Sequence, residues 1–170
     1  MGEVVRVGVL TISDRCSRGE REDLSGPAIK SALPAESFII ALEAIVPDDR
    51  KTISETLRRW CDDYGCDVIL TTGGTGLSPL DVTPEATRKV LDRDAPQLSQ
   101  FLLMEGLKVN PFAALSRGLA GVRGATLIVN LPGSPSGAKD GAVSLAPLLP
   151  HAVDVMHVRE TGHLNEDVGT

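Results

Sequence analysis

The apolar run Val68-Ile69-Leu70 breaks into Thr71-Thr72-Gly73-Gly74-Thr75-Gly76, and no other segment constrains the chain as strongly. Asp81-Val82-Thr83-Pro84-Glu85-Ala86-Thr87 follows five residues later. A buried strand that dissolves into glycines and hydroxyls and then starts a helix is how an open α/β protein builds a pocket for a phosphorylated ligand. Glycines turn at positive φ and let the backbone approach the ligand. Backbone N–H groups and the next helix N-terminus supply partial positive charge for an anion.

The flanking sequence alternates strand and helix patterns. Val4 to Ile12 is an apolar run interrupted by Arg6 and Gly8, which predicts a buried parallel strand. Ser25-Gly26-Pro27 predicts a helix start with Ser25 as its cap, running to about Leu33. Phe38 to Val46 predicts a second strand. Ile53, Leu57, Trp60, Cys61 and Tyr64 share one helical stripe, stopped by Gly65. Val68 to Thr71 is the third strand, and Thr83-Pro84 predicts a hydroxyl-capped helix towards Leu91. Ala95 to Leu107 reads as a further helix, and Ala113 to Ser116 as a short helical piece. Ala125 to Val129 is another strand, and Ala138 to Val155 a closing helix broken near Pro147 and Pro150. The pattern predicts an α/β fold: a three-layer α/β/α sandwich around a mostly parallel sheet. Residues 1–158 form one domain in this reading, and residues 159–170 a frayed polar tail.

In an open parallel sheet the C-terminal strand ends share one edge, where ligands bind. Here those ends carry Ser13-Asp14, Pro47-Asp48, the glycine loop, and Asn130-Leu131-Pro132-Gly133-Ser134. Bland readings stand beside this one. Ser13-Asp14 can stabilise a turn, Asp48 can cap the helix that follows it, and Gly133 can serve a turn alone.

Charge and cysteine content narrow the class. A formal charge of −6 argues against a nucleic-acid partner, so an anionic substrate needs local help. Three cysteines, none in CxxC spacing, fit a reducing compartment. No apolar stretch reaches membrane-spanning length and Met1-Gly2-Glu3-Val4 shows no signal pattern, so no membrane and a cytoplasmic location are expected. The chain has neither a P-loop nor a GxGxxG fingerprint. His151, His157 and His163 lie six apart, which does not stack them on one helix face.

The glycine loop with Asp81 to Thr87 resembles the signature of molybdopterin adenylyltransferases, shared with gephyrin-type G domains. The resemblance extends to Thr11-Ile12-Ser13-Asp14, Asp23 with Ser25-Gly26, Val46-Pro47-Asp48, Asn130 to Ser134, Leu115-Ser116-Arg117 and Leu149-Pro150-His151-Ala152. It implies transfer of AMP from ATP to the terminal phosphate of molybdopterin, with Mg²⁺, in a protein that is usually a homotrimer. Product would pass to a separate molybdate-inserting protein. By this resemblance Asp48 and Asp81 are the functional carboxylates and Mg²⁺ ligands. Ser13, Asp14, Ser25, Thr72, Gly73, Gly74, Thr75, Gly76, Thr83, Glu85, Asn130, Pro132, Gly133 and Ser134 would bind substrate. Leu102, Leu103, Met104 and Phe112 are candidate interface residues. Two positions depart from the pattern. Leu80 stands where relatives often have arginine, and Ser136 follows the Asn130–Pro135 segment where a lysine is common. Arg15, Arg88 and Lys139 are the candidate replacements. A carrier that binds molybdopterin without turnover is the alternative.

Overall fold

A computed structural model describes residues 3–158; the expected polar tail lies outside the described residues. Six strands form one sheet in the order β2-β1-β3-β6-β5-β4. β1 (Val5–Ile12), β2 (Phe38–Val46), β3 (Val68–Thr72) and β6 (Thr126–Leu131) run parallel. The expected sandwich is therefore present, with helices on both faces. Two short strands went unforeseen: β4 (Arg93–Asp94) and β5 (Ala120–Arg123), the latter antiparallel to β6 across a tight turn at Gly124.

Both sheet faces are covered, so the central strands are apolar throughout rather than alternating. Val5, Val7, Val9, Val68, Leu70, Leu127 and Val129 point to one face. There they meet α2 (Ser25–Ala32), α5 (Pro96–Leu107), α6 (Pro135–Leu145) and α7 (Leu149–Met156). Leu10, Ile12, Ile69 and Ile128 point to the other, against Ile53, Leu57 and Trp60 of α3 (Arg50–Asp62) and Ala86 of α4 (Thr83–Arg88). A short helical turn, α1 (Asp14–Ser17), follows β1. Gly8 sits within β1 because a side chain there would lie 2.7 Å from the Trp60 ring. The closing helix breaks at Ala146–Leu148, so that it forms two pieces, as the prolines predict.

Three expected caps resolve differently. Asp23 caps α2, its Oδ1 accepting from the N–H groups of Ser25 and Gly26 at 3.1 and 3.0 Å. Ser25 is the first helical residue, and its hydroxyl donates instead to the carbonyl of Gly133. Asp49, not Asp48, caps α3 by accepting from Thr52 N–H. Thr83 begins α4 fully buried, and its hydroxyl donates to the carbonyl of Gly73. For Ser25 and Thr83 a carbonyl brought in by the fold takes the hydroxyl, and for Asp48 the distant Asp14 N–H takes the carboxylate.

Candidate active site

The strand ends converge on the glycine loop. Gly73 and Gly74 have φ of +100° and +67°, in the region that favours glycine. A Cβ on Gly73 would lie 2.2 Å from the carbonyl oxygen of Ile12, so the chain leaving β3 runs hard against the end of its parallel neighbour β1. On the other side, a Cβ on Gly133 would lie 3.2 Å from Gly73 Cα. Thr72 Oγ1 and Ser25 Oγ each donate at 2.7 Å, to the carbonyls of Pro132 and Gly133, which stitches the loop after β6 to β3 and α2.

The carboxylates gather on the opposite flank. Asp14 N–H donates to Asp48 Oδ2 and Asp48 N–H donates to Asp14 Oδ1, both at 2.9 Å. This reciprocal pair joins the ends of β1 and β2 and leaves Asp48 Oδ1 facing Gly74, 3.1 Å from where a Cβ would sit. Asp81 Oδ2 lies 2.8 Å from the corresponding point on Gly76. Burial is the main cause lifting the Asp48 carboxyl above the ordinary aspartate value; the Asp14 N–H opposes it, and the charges of Asp14 and Asp81 add to it. Asp48, Asp81 and Gly133 thus ring one loop.

The family model described as a probable molybdopterin binding domain matches residues 8–151. The chain belongs to the molybdopterin-binding domain family. It is 43% identical over 157 residues to a molybdopterin adenylyltransferase of Helicobacter pylori, covering 91% of this chain and 89% of that protein. It is 47% identical to the molybdenum cofactor synthesis protein cinnamon of Drosophila melanogaster, covering 94% of this chain but only 28% of that much longer protein. Among solved structures, the molybdopterin biosynthesis enzyme MoaB of Thermus thermophilus matches with a TM-score of 0.85 and 51% identity, covering 90% of this chain and 96% of that one.

Within this molybdopterin-binding domain, a cleft opens between the ends of β1, β3 and β6. Ser13, Ser25, Thr72, Gly73 and Gly133 line it, as do Thr11, Cys16, Arg21 and Asp23. Ser13 also caps α1 by accepting from Cys16 N–H. Asn130 is placed elsewhere: it is 5% exposed, its Nδ2 donates to the hydroxyls of Thr71 and Thr87, and its Oδ1 accepts from Leu119 N–H. Its polar atoms are spent on joining β6 to β3 and α4, which corrects its expected place among the substrate ligands. Thr75 is buried, and Ser134 caps α6 through Gly137 N–H. Glu85 pairs with Arg117.

Arg15, Arg88 and Lys139 do not line the cleft, whereas Arg21 does. Arg21 lies in a polar loop whose spacing carries no signal. Arg117 belonged to a segment that the family resemblance marked, but nothing in its sequence neighbourhood pointed to chemistry.

Proposed function

We propose that this molybdopterin-binding domain is a molybdopterin adenylyltransferase, moving AMP from ATP to the terminal phosphate of molybdopterin. Its similarity to curated adenylyltransferases over most of their length supports this reading. The observation that carries it is the convergence of Asp48, Asp81 and Gly133 on the loop Gly73–Gly76. A phosphate oxygen of molybdopterin attacks the α-phosphorus of ATP, the bond to the bridging oxygen breaks, and pyrophosphate leaves. Catalysis of such a transfer rests on aligning two polyanions and offsetting developing charge.

The residues divide that work. Glycine-loop and Gly133 backbone lets phosphate approach closely, Ser13 lines the cleft, and Arg21 brings the cation that Leu80 does not. Asp48 and Asp81 fit Mg²⁺, which is commonly held by one or two carboxylates together with phosphate oxygens and water. Asp48 keeps one oxygen uncommitted, and no hydrogen bond engages the Asp81 carboxylate among the described residues. When bound, Mg²⁺ offsets phosphate charge. Asp14 holds Asp48 in place.

The chain works as a homotrimer in the cytoplasm and hands its product to a molybdate-inserting protein. α5 buries none of its residues fully, and Met104 and Phe112 are 66% and 72% exposed. Leu102 is excluded from this face because it packs against the core, and Leu107 and Val109 take its place. Among the described residues no helix is long and apolar enough to cross a membrane. Met104→Glu with Phe112→Glu is expected to give a monomer of unchanged secondary structure, read by light scattering.

The deciding assay incubates purified protein with ATP, molybdopterin and Mg²⁺. Adenylylated molybdopterin and pyrophosphate are expected, and an inert protein at saturating substrates refutes the reading. Leu80 is 68% exposed on the loop rim. Leu80→Arg is therefore expected to raise kcat/KM by about threefold at low salt, the size of an exposed charge pair, and less at high salt.

A further inference from the structure

Arg117 lies between a 3-10 turn (Pro111–Leu115) and β5, away from the cleft, yet most of its polar groups go to the catalytic loop. Its Nε donates to the carbonyl of Gly76 and one terminal nitrogen to the carbonyl of Asp81, both at 2.8 Å. The other terminal nitrogen pairs with Glu85 Oε1. Its backbone N–H donates to the carbonyl of Thr75, also at 2.8 Å. One guanidinium therefore closes the segment 76–81 at both ends, where Asp81 N–H and Leu80 N–H also donate internally, to the Ser78 carbonyl and hydroxyl. Glu85 Oε2 is shielded from solvent and has no hydrogen-bond partner, which leaves Arg117 as the ion-pair partner of that carboxylate. We infer that Arg117 is a positioning residue that fixes where Asp81 presents its carboxylate to the metal and phosphates.

The geometry requires arginine. A planar fork with fixed donor directions can serve two carbonyls and a carboxylate at once, whereas a lysine ammonium is a single point charge on a flexible stem. Displacing a catalytic group by about 1 Å can cost roughly 10²-fold in rate. The inference rests on the adenylyl-transfer reading for its kinetic consequence, while its structural consequence stands without it.

The test uses Arg117→Lys, with Arg117→Gln combined with Glu85→Gln as a second variant that removes both charges together. Without substrates, amide hydrogen exchange across residues 76–82 is expected to speed up at least tenfold in either variant, with protection in β1 and β6 unchanged. In the AMP-transfer assay kcat is expected to fall by about 30-fold or more, with a rise in the Mg²⁺ concentration needed for half-maximal rate and little change in KM for ATP. In an Asp81→Asn background the same substitution is expected to cost less than threefold, because it acts through a carboxylate already removed. Unchanged loop exchange, or rate losses that multiply in the double variant, would overturn the inference. An inert wild type would refute adenylyl transfer, and the exchange result would still decide whether Arg117 holds the loop.

Discussion

Gly73→Ala is expected to cost the protein both stability and AMP transfer. A methyl group there meets the Ile12 carbonyl oxygen at 2.2 Å on a backbone with φ of +100°. The oxygen belongs to a central strand, so neither partner can yield without pushing apart the paired ends of β1 and β3. A loss of about 3 kcal/mol or more follows, a fall in Tm of roughly 10 °C for a domain of this size. AMP transfer should drop by about 10²-fold even below the melting range, since the same movement displaces the loop from Asp48 and Gly133. Gly65→Ala is the control. Gly65 also has positive φ, +60°, but nothing lies within 4 Å of an added Cβ. It should cost only about 1 kcal/mol and leave turnover intact. Equal effects at the two positions would show that backbone conformation alone, rather than the close approach to Ile12, sets the requirement.

Asp48→Asn is expected to separate activity from stability. The folded protein raises the Asp48 carboxyl above its ordinary value, chiefly by burial. A carboxyl that binds its proton more tightly when folded favours the fold most while protonated. That advantage is lost as pH rises from the ordinary aspartate value through the raised one. At neutral pH the ionised carboxylate is therefore a cost, and asparagine removes it while keeping an acceptor for Asp14 N–H. Tm at pH 7 should rise in the absence of Mg²⁺, and the gain should vanish once acid protonates the wild-type carboxyl in both folded and unfolded chains. AMP transfer should fall by about 10²- to 10³-fold. For the same reason the acid limb of the wild-type rate profile should lie above the range of an exposed aspartate. A lower Tm in the asparagine variant would show that the reciprocal pair with Asp14 needs the full charge.

How far the sequence reads through to the fold depends on where each residue finds its partner. β1 and β3 were legible because strands covered on both faces are apolar along their whole length, and the edge strand β2 because its run Phe38–Val46 is apolar although half-exposed. The stripe of Ile53, Leu57 and Trp60 held because one face of α3 packs against the sheet, whereas Tyr64 falls beyond the end of α3 and is 46% exposed. β4 and β5 were not legible. Ala120-Gly121-Val122-Arg123 is short and weakly apolar, and distant residues settle its place. Arg123 makes paired hydrogen bonds to Asp62 on α3, and Leu91 packs where a side chain on Gly121 would be. In the site, Asp48, Asp81 and the glycines were visible as strand-end polar residues. Ser25, Thr83 and Asn130 were misread in detail because their true partners, Gly133, Gly73, and Thr71 with Thr87, come from distant loops, strands and helices. Local sequence offers a cap to a hydroxyl; only the assembled edge offers a carbonyl from another loop.

Those hydroxyl-to-carbonyl bonds shape what this architecture can tolerate. Ser25, Thr72 and Thr83 hold the main chain of the rim from beneath, leaving outward-facing positions such as Leu77, Leu80 and Ser136 without framework duties. Substitutions at those outer positions can retune affinity for a charged guest in small steps while the scaffold under them keeps its shape, so a chain can exchange one surface cation for another elsewhere on the lip and stay a working catalyst.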